Sequence, residues 1–92
     1  MKVILNINGY LNTFFEEGCY EFKLEDDATL ADLMAAIDCR FGESIPKSVW
    51  SRENKKFRGP VSISINQKIV KDHSFPLEDE QRISISRFLV GG

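Results

Sequence analysis

The sequence predicts an α+β roll, in which one main helix packs across a mixed sheet of four or five strands. Two observations carry this. Apolar and polar residues alternate near both ends of the chain, the period of two that marks strands with one buried face. Between them, over residues 29–41, the period lengthens once to helical spacing, and the resulting apolar stripe suits the sheet's apolar face. Ninety-two residues with 42% hydrophobic and 28% charged content make one globular domain, residues 1–92.

Each element follows from its own pattern. Val3, Leu5 and Ile7 alternate with Lys2, Ile4, Asn6 and Asn8 and predict a first strand. A turn region runs from Gly9 to Gly18. Tyr20, Phe22 and Leu24 then alternate with Glu21, Lys23 and Glu25, a second strand with one charged face that pairs with the first as a hairpin. In "TLADLMAAIDCRFG", Leu30, Leu33, Met34, Ile37 and Phe41 fall on one helical face. Thr29 and Asp32 form a capping-box pair with Asp in place of the usual Glu, and Gly42 is the expected glycine stop.

Residues 43–59 are too long for a plain connection and predict a short helix or an ordered loop, with Pro46 in a first helical turn and Trp50 and Phe57 as its anchors on the core. Five cations (Lys47, Arg52, Lys55, Lys56, Arg58) stand there against Glu43 and Glu53, either as a solvated loop or as a docking surface for an acidic partner. Val61, Ile63 and Ile65 predict a strand facing inward, with Ser62 and Ser64 outward. Asn66-Gln67 predicts a tight turn and Lys68 to Val70 a short strand. Leu77 pins a polar turn, and Ile83 and Ile85 face inward from the last strand.

Composition narrows the function classes. The net charge of −2 argues against a nucleic-acid binder. No apolar run approaches the roughly 20 residues of a membrane span, and the first ten residues alternate like a strand rather than a signal peptide, so the expected location is the cytoplasm. Cys19 and Cys39 form no CxxC pair and are expected to be reduced. His73, the one histidine, has no Cys or His near it in sequence, so no metal site is expected. Nucleophile–base pairs and phosphate-binding glycine loops are also lacking, and the chain is expected to carry no catalytic site of its own and to bind no cofactor.

The sequence ends on "SRFLVGG". Residues 87–92 are expected to form a flexible tail. Gly91 and Gly92 carry no side chains, so a narrow channel in another protein could admit them and reach the carboxylate of Gly92. Arg87, Phe88, Leu89 and Val90 are the candidate partner contacts, because an ordered tail loses entropy that contacts further back must offset.

"NQKIVKDHSFPLEDEQRISISRFLVGG" resembles the C-terminal third of the small subunit of molybdopterin synthase, and more broadly the ubiquitin-like sulfur carriers, including the thiamin-pathway carrier. The resemblance rests on Asn66-Gln67, on Leu77 with the acidic turn after it, on Ile83 and Ile85, and on the final Gly91-Gly92. Upstream, "ATLADLMAAI" resembles the family's helix start. It implies the ubiquitin-like β-grasp fold and a terminal carboxylate on Gly92 as the reacting group, with Gly91 supplying clearance. It also implies three partners: a ubiquitin-activating-type adenylyltransferase that spends ATP, a sulfur donor enzyme, and the large subunit of molybdopterin synthase. Glu80 and Gln81 replace the centre of the family's turn, and Arg87 and Phe88 stand where prolines are common. Molybdopterin synthesis is the leading expectation from the resemblance, with a carrier for thiamin or another metabolite as the alternative within the class. A ubiquitin-like modifier and an inert interaction module remain the readings from other classes.

Overall fold

The computed structural model describes residues 1–87. Its first strand, β1 (Lys2–Gly9), buries Val3, Leu5 and Ile7 on one face, as the alternation requires. A 3-10 turn, Tyr10–Phe14, leads away from it and puts Leu11 in the core. The chain returns as β2 (Cys19–Lys23), antiparallel to β1 with Leu5 opposite Tyr20 and Val3 opposite Phe22.

The helix α1 spans Leu30–Phe41 and buries Leu30, Leu33, Met34 and Ile37. At its start the Asp32 carboxylate accepts hydrogen bonds from the Thr29 backbone N–H at 2.8 Å and the Thr29 hydroxyl at 3.2 Å. One orphan donor is thereby satisfied, and a negative charge sits at the positive end of the helix dipole. Gly42 caps the far end, as expected of a glycine stop, with a right-handed backbone of φ −55° and ψ −33°. Glycine is needed there for space, because a Cβ would stand 2.5 Å from the Asp38 backbone carbonyl oxygen, which cannot swing aside, and 2.7 Å from the Asp38 carboxylate.

Residues 43–59 fold as a small hairpin rather than a helix. Strands β3 (Trp50–Ser51) and β4 (Lys56–Phe57) pair antiparallel, with Trp50 opposite Phe57. Pro46 does open a turn, and its carbonyl accepts from the N–H groups of Val49 and Trp50. The chain then re-enters the main sheet as β5 (Ser62–Ile65), turns at Asn66-Gln67, and forms β6 (Lys68–Ile69). Both turn residues have positive φ, 53° and 67°, as a two-residue hairpin of the I′ kind demands. The last strand is β7 (Gln81–Arg87).

The five-stranded sheet runs β2-β1-β7-β5-β6. β1 and β7 are parallel and central, and the other pairs are antiparallel. Sequence-distant β7 lies between β1 and β5 because its Ile83 and Ile85, both fully buried, continue the apolar rows of Leu5 and Ile7 on one side and Ile65 and Ile63 on the other. Helix α1 contributes its apolar stripe to the same core. Burying each such side chain contributes about 1.5–3 kcal/mol of transfer free energy.

Candidate functional site: the end of the last strand

Strand β7 is bonded on both sides, so its end is held by two neighbours. Ser86 lies beside Asn8 on one flank and Ser62 on the other, and Arg87 pairs with Gly9. Arg87, expected as the first residue of the tail, is thus the last residue of the strand. The other expected site residues, Phe88, Leu89, Val90, Gly91 and Gly92, lie outside the described residues.

The Arg87 side chain is anchored on the segment before β5. Its Nη1 donates to the Arg58 carbonyl at 3.2 Å. The guanidinium lies against Gly59, where a Cβ would be 3.1 Å from Nη2. Gly59 also has φ +78°, a left-handed backbone that glycine adopts without strain. Arg58 is fixed in turn: its N–H donates to the Val49 carbonyl at 2.7 Å, and its Nε donates to the Lys47 carbonyl at 2.8 Å.

The hairpin itself is bolted to the helix. Trp50 and Phe57 are buried edge to face with ring centroids 4.8 Å apart. The Trp50 indole N–H donates to Asp38 Oδ1 at 2.8 Å, and Arg52 Nε approaches the same oxygen at 3.3 Å. The Trp50 hydrogen bond does most to hold the Asp38 carboxyl below its ordinary value of 3.8; partial desolvation opposes it, and Arg52 adds to the lowering. A run of bonds and adjacent residues therefore leads from α1 through Asp38, Trp50, Val49, Arg58 and Gly59 to Arg87. Trp50 and Arg58 were singled out from the sequence, but their connection to Arg87 was not. The one local signal was "RGP", residues 58–60, a glycine–proline stop just before a strand.

Two surfaces adjoin this end. The open face of the sheet is polar, and one rung across it reads Cys19, Asn6, Ser84, Ser64, Ile69. Ile69, 67% exposed, is the one large hydrophobic so exposed among the described residues. The other surface is an open groove of about 600 Å³ between the helix end and the hairpin, with Lys47, Arg52 and Arg58 on its walls beside Glu43 and Glu53.

Among the described residues no group of His, Cys, Asp and Glu could hold a metal ion, and both cysteines are exposed free thiols. No helix among them is long and apolar enough to cross a membrane. The arrangement is that of a scaffold that carries the end of β7 on rigid neighbours.

No protein-family model matches the chain. No curated protein matches it either. Solved structures do. SAMP1 from Haloferax volcanii superposes with a TM-score of 0.78 at 13% identity, over 100% of both chains. A putative molybdopterin converting factor subunit 1 from Pyrococcus furiosus gives 0.68 at 18% identity, over 96% of this chain and 98% of that one. A chain from the complex of subunits 1 and 2 of the molybdopterin-converting factor from Helicobacter pylori gives 0.61 at 22% identity, over 100% of both. The fold is the ubiquitin-like β-grasp. At these identities the likeness is one of fold. Within the β-grasp, the parallel pairing of the first and last strands puts Arg87 at the sheet's rim, beside the end of β1.

Proposed function

We propose that this β-grasp domain is a protein-based sulfur carrier whose working group is the carboxylate of Gly92. The observation that carries the reading is the placement of Arg87 at the rim, with Gly91-Gly92 following it in the sequence. Five extended residues from 88 to 92 would reach at most roughly 17 Å at about 3.3 Å each, enough to present a carboxylate deep in another protein.

The chemistry explains the need for a partner. A carboxylate is a poor electrophile. A ubiquitin-activating-type adenylyltransferase would join it to AMP from ATP, releasing pyrophosphate, so that AMP becomes the leaving group. Sulfur at the oxidation level of sulfide, brought by a donor enzyme, then adds to the acyl carbon and displaces AMP. The product is a thiocarboxylate on Gly92. Gly91 would let the chain end pass a narrow channel, while Phe88, Leu89 and Val90, with Arg87 behind them, make contacts outside the chemistry. Molybdopterin synthesis is the favoured destination, with a synthase large subunit as recipient. The fold likeness to the Helicobacter pylori subunit, seen in complex with subunit 2, supports that partner. A carrier for thiamin or another metabolite would use the same first steps.

The second reading is a ubiquitin-like modifier joined to a target lysine. The fold likeness to the small archaeal modifier protein 1 of Haloferax volcanii favours it.

One experiment separates the readings. The chain is incubated with the adenylyltransferase of its source organism in an ATP–pyrophosphate exchange assay, and protein from cells is weighed by mass spectrometry. Exchange, with a form heavier by the difference between sulfur and oxygen, supports the carrier. Exchange with larger conjugates supports the modifier. Absence of exchange would leave an inert interaction module.

A further inference from the structure

The hairpin of residues 50–57 and the turns flanking it separate charge within the molecule. Residues 43–59 together with Arg87 hold six cations against two carboxylates, while the rest of the chain holds six cations against twelve. An acidic protein thus carries one basic region, and that region lies at the end of β7.

Not all six cations are available. Arg52 is committed to Asp38 and Glu43, and the charge of Lys55 acts on Asp38. Lys47, Lys56 and Arg58 are exposed, and none forms an ion pair with a carboxylate among the described residues. Their backbone is nevertheless fixed. Lys56 is in β4 beside buried Phe57, and Arg58 bonds to Val49 and Lys47. Three cations without a carboxylate ion pair among the described residues, on backbone fixed in this way, need little further backbone ordering to meet an acidic surface; the cost that remains is the rotamer freedom of their side chains. They are also tied to the end of β7 through the Arg87–Arg58 contact, so whatever grips the residues after Arg87 comes within reach of them.

We infer that Lys47, Lys56 and Arg58 form a docking surface for an acidic face of the adenylyltransferase that activates the chain. The inference rests on the sulfur-carrier or modifier reading above, since both require that enzyme. The partner surface is one rich in Asp and Glu beside the mouth of the channel that takes the glycines. Charges of this kind act mainly on encounter: they steer the domain so that the chain end arrives facing the channel. They do not touch the reacting atoms, so KM should respond and kcat should not.

The test compares the whole chain with the Lys47→Glu, Lys56→Glu, Arg58→Glu triple variant in pyrophosphate exchange with the purified adenylyltransferase, and follows unfolding in parallel. At about 50 mM salt the triple variant should show a KM raised at least about tenfold with kcat within about twofold. The gap should close near about 0.5 M salt, where screening reaches only a few ångströms. If the triple variant does not fold, Lys47→Glu with Lys56→Glu takes its place, since neither side chain makes a hydrogen bond among the described residues. A KM within about twofold of the parent at low salt overturns the docking surface while leaving the carrier reading intact. A short duplex oligonucleotide bound by the parent and not by the variant, with KM unchanged, also overturns it and reassigns the cations to nucleic acid. If the parent itself is not activated, the function reading fails and this inference falls with it.

Discussion

The indole N–H of Trp50 donates to Asp38 Oδ1 across 2.8 Å, and this bond ties the hairpin to the last turn of the helix. It has two consequences. It satisfies the one polar group of a side chain that is otherwise 1% exposed. It also stabilises the ionised form of Asp38, so the anchorage depends on pH.

The folded carboxyl of Asp38 titrates below the 3.8 of the unfolded chain. Its contribution is therefore fully present above that value and is lost as pH falls through the folded pKa. Asp72, lowered by its bonds to Ser74, adds loss in the same window, so the pH profile of the parent alone would mix the two. Asp38→Asn keeps an acceptor for Trp50 and removes the charge. Unfolding midpoints should differ between parent and variant at about pH 6, and the gap should narrow as pH drops below about 4. A gap that stays constant down to the acid limit would mean that the charge plays no part.

Leu33 is fully buried on the inner face of α1. Leu33→Ala should cost about 2–5 kcal/mol in denaturant unfolding, through lost burial and the cavity left behind. A cost under about 0.5 kcal/mol would be that of a surface site and would remove this helix face from the core.

Gly59 combines a positive φ with a close approach to Arg87. Gly59→Ala should cost about 1–2 kcal/mol, the penalty of a left-handed non-glycine residue. It should also push the Arg87 guanidinium aside, so that Arg87→Ala in the Gly59→Ala background adds less than it does alone. Additive effects of the two changes would show that the contact carries no energy.

The chain end makes the opposite prediction. Gly91→Val should leave the unfolding midpoint unchanged within about 0.5 kcal/mol and yet abolish pyrophosphate exchange, because valine is bulky and restricts the backbone. Phe88→Ala should weaken affinity for the adenylyltransferase but keep the reaction measurable, as for an anchor outside the chemistry. Deleting Gly92 should stop activation by shifting the carboxylate about 3.3 Å, where a misplacement of about 1 Å already costs on the order of a hundredfold in rate. Normal exchange by the deletion variant would rule out the carboxylate as the working group.

The alternation of Val3, Leu5 and Ile7, the stripe from Leu30 to Phe41 and the Asn66-Gln67 turn were legible without coordinates, because periodicity and turn chemistry are local properties. The anchoring roles of Trp50 and Phe57 were legible too, since large aromatics in a polar segment must bury their surface somewhere. The form of residues 43–59 was not. Two-residue strands give no readable period, and the segment becomes a hairpin only through contacts with Asp38 and the core. Leu11 was missed for a similar reason: a lone apolar residue in a turn has no pattern to place it.

The sequence by itself determined β1, β2, α1, β5, β6 and β7, their inward faces and the Gly91-Gly92 pair that suggests the chemistry. Only the tertiary structure decided that β7 inserts between β1 and β5, that Arg87 belongs to the strand, and that Arg58 and Gly59 lie against its side chain. The physical reason is range. Local patterning acts over a few residues, whereas Arg87 and Arg58 are 29 positions apart and meet only because long-range strand pairing carries them to the same rim.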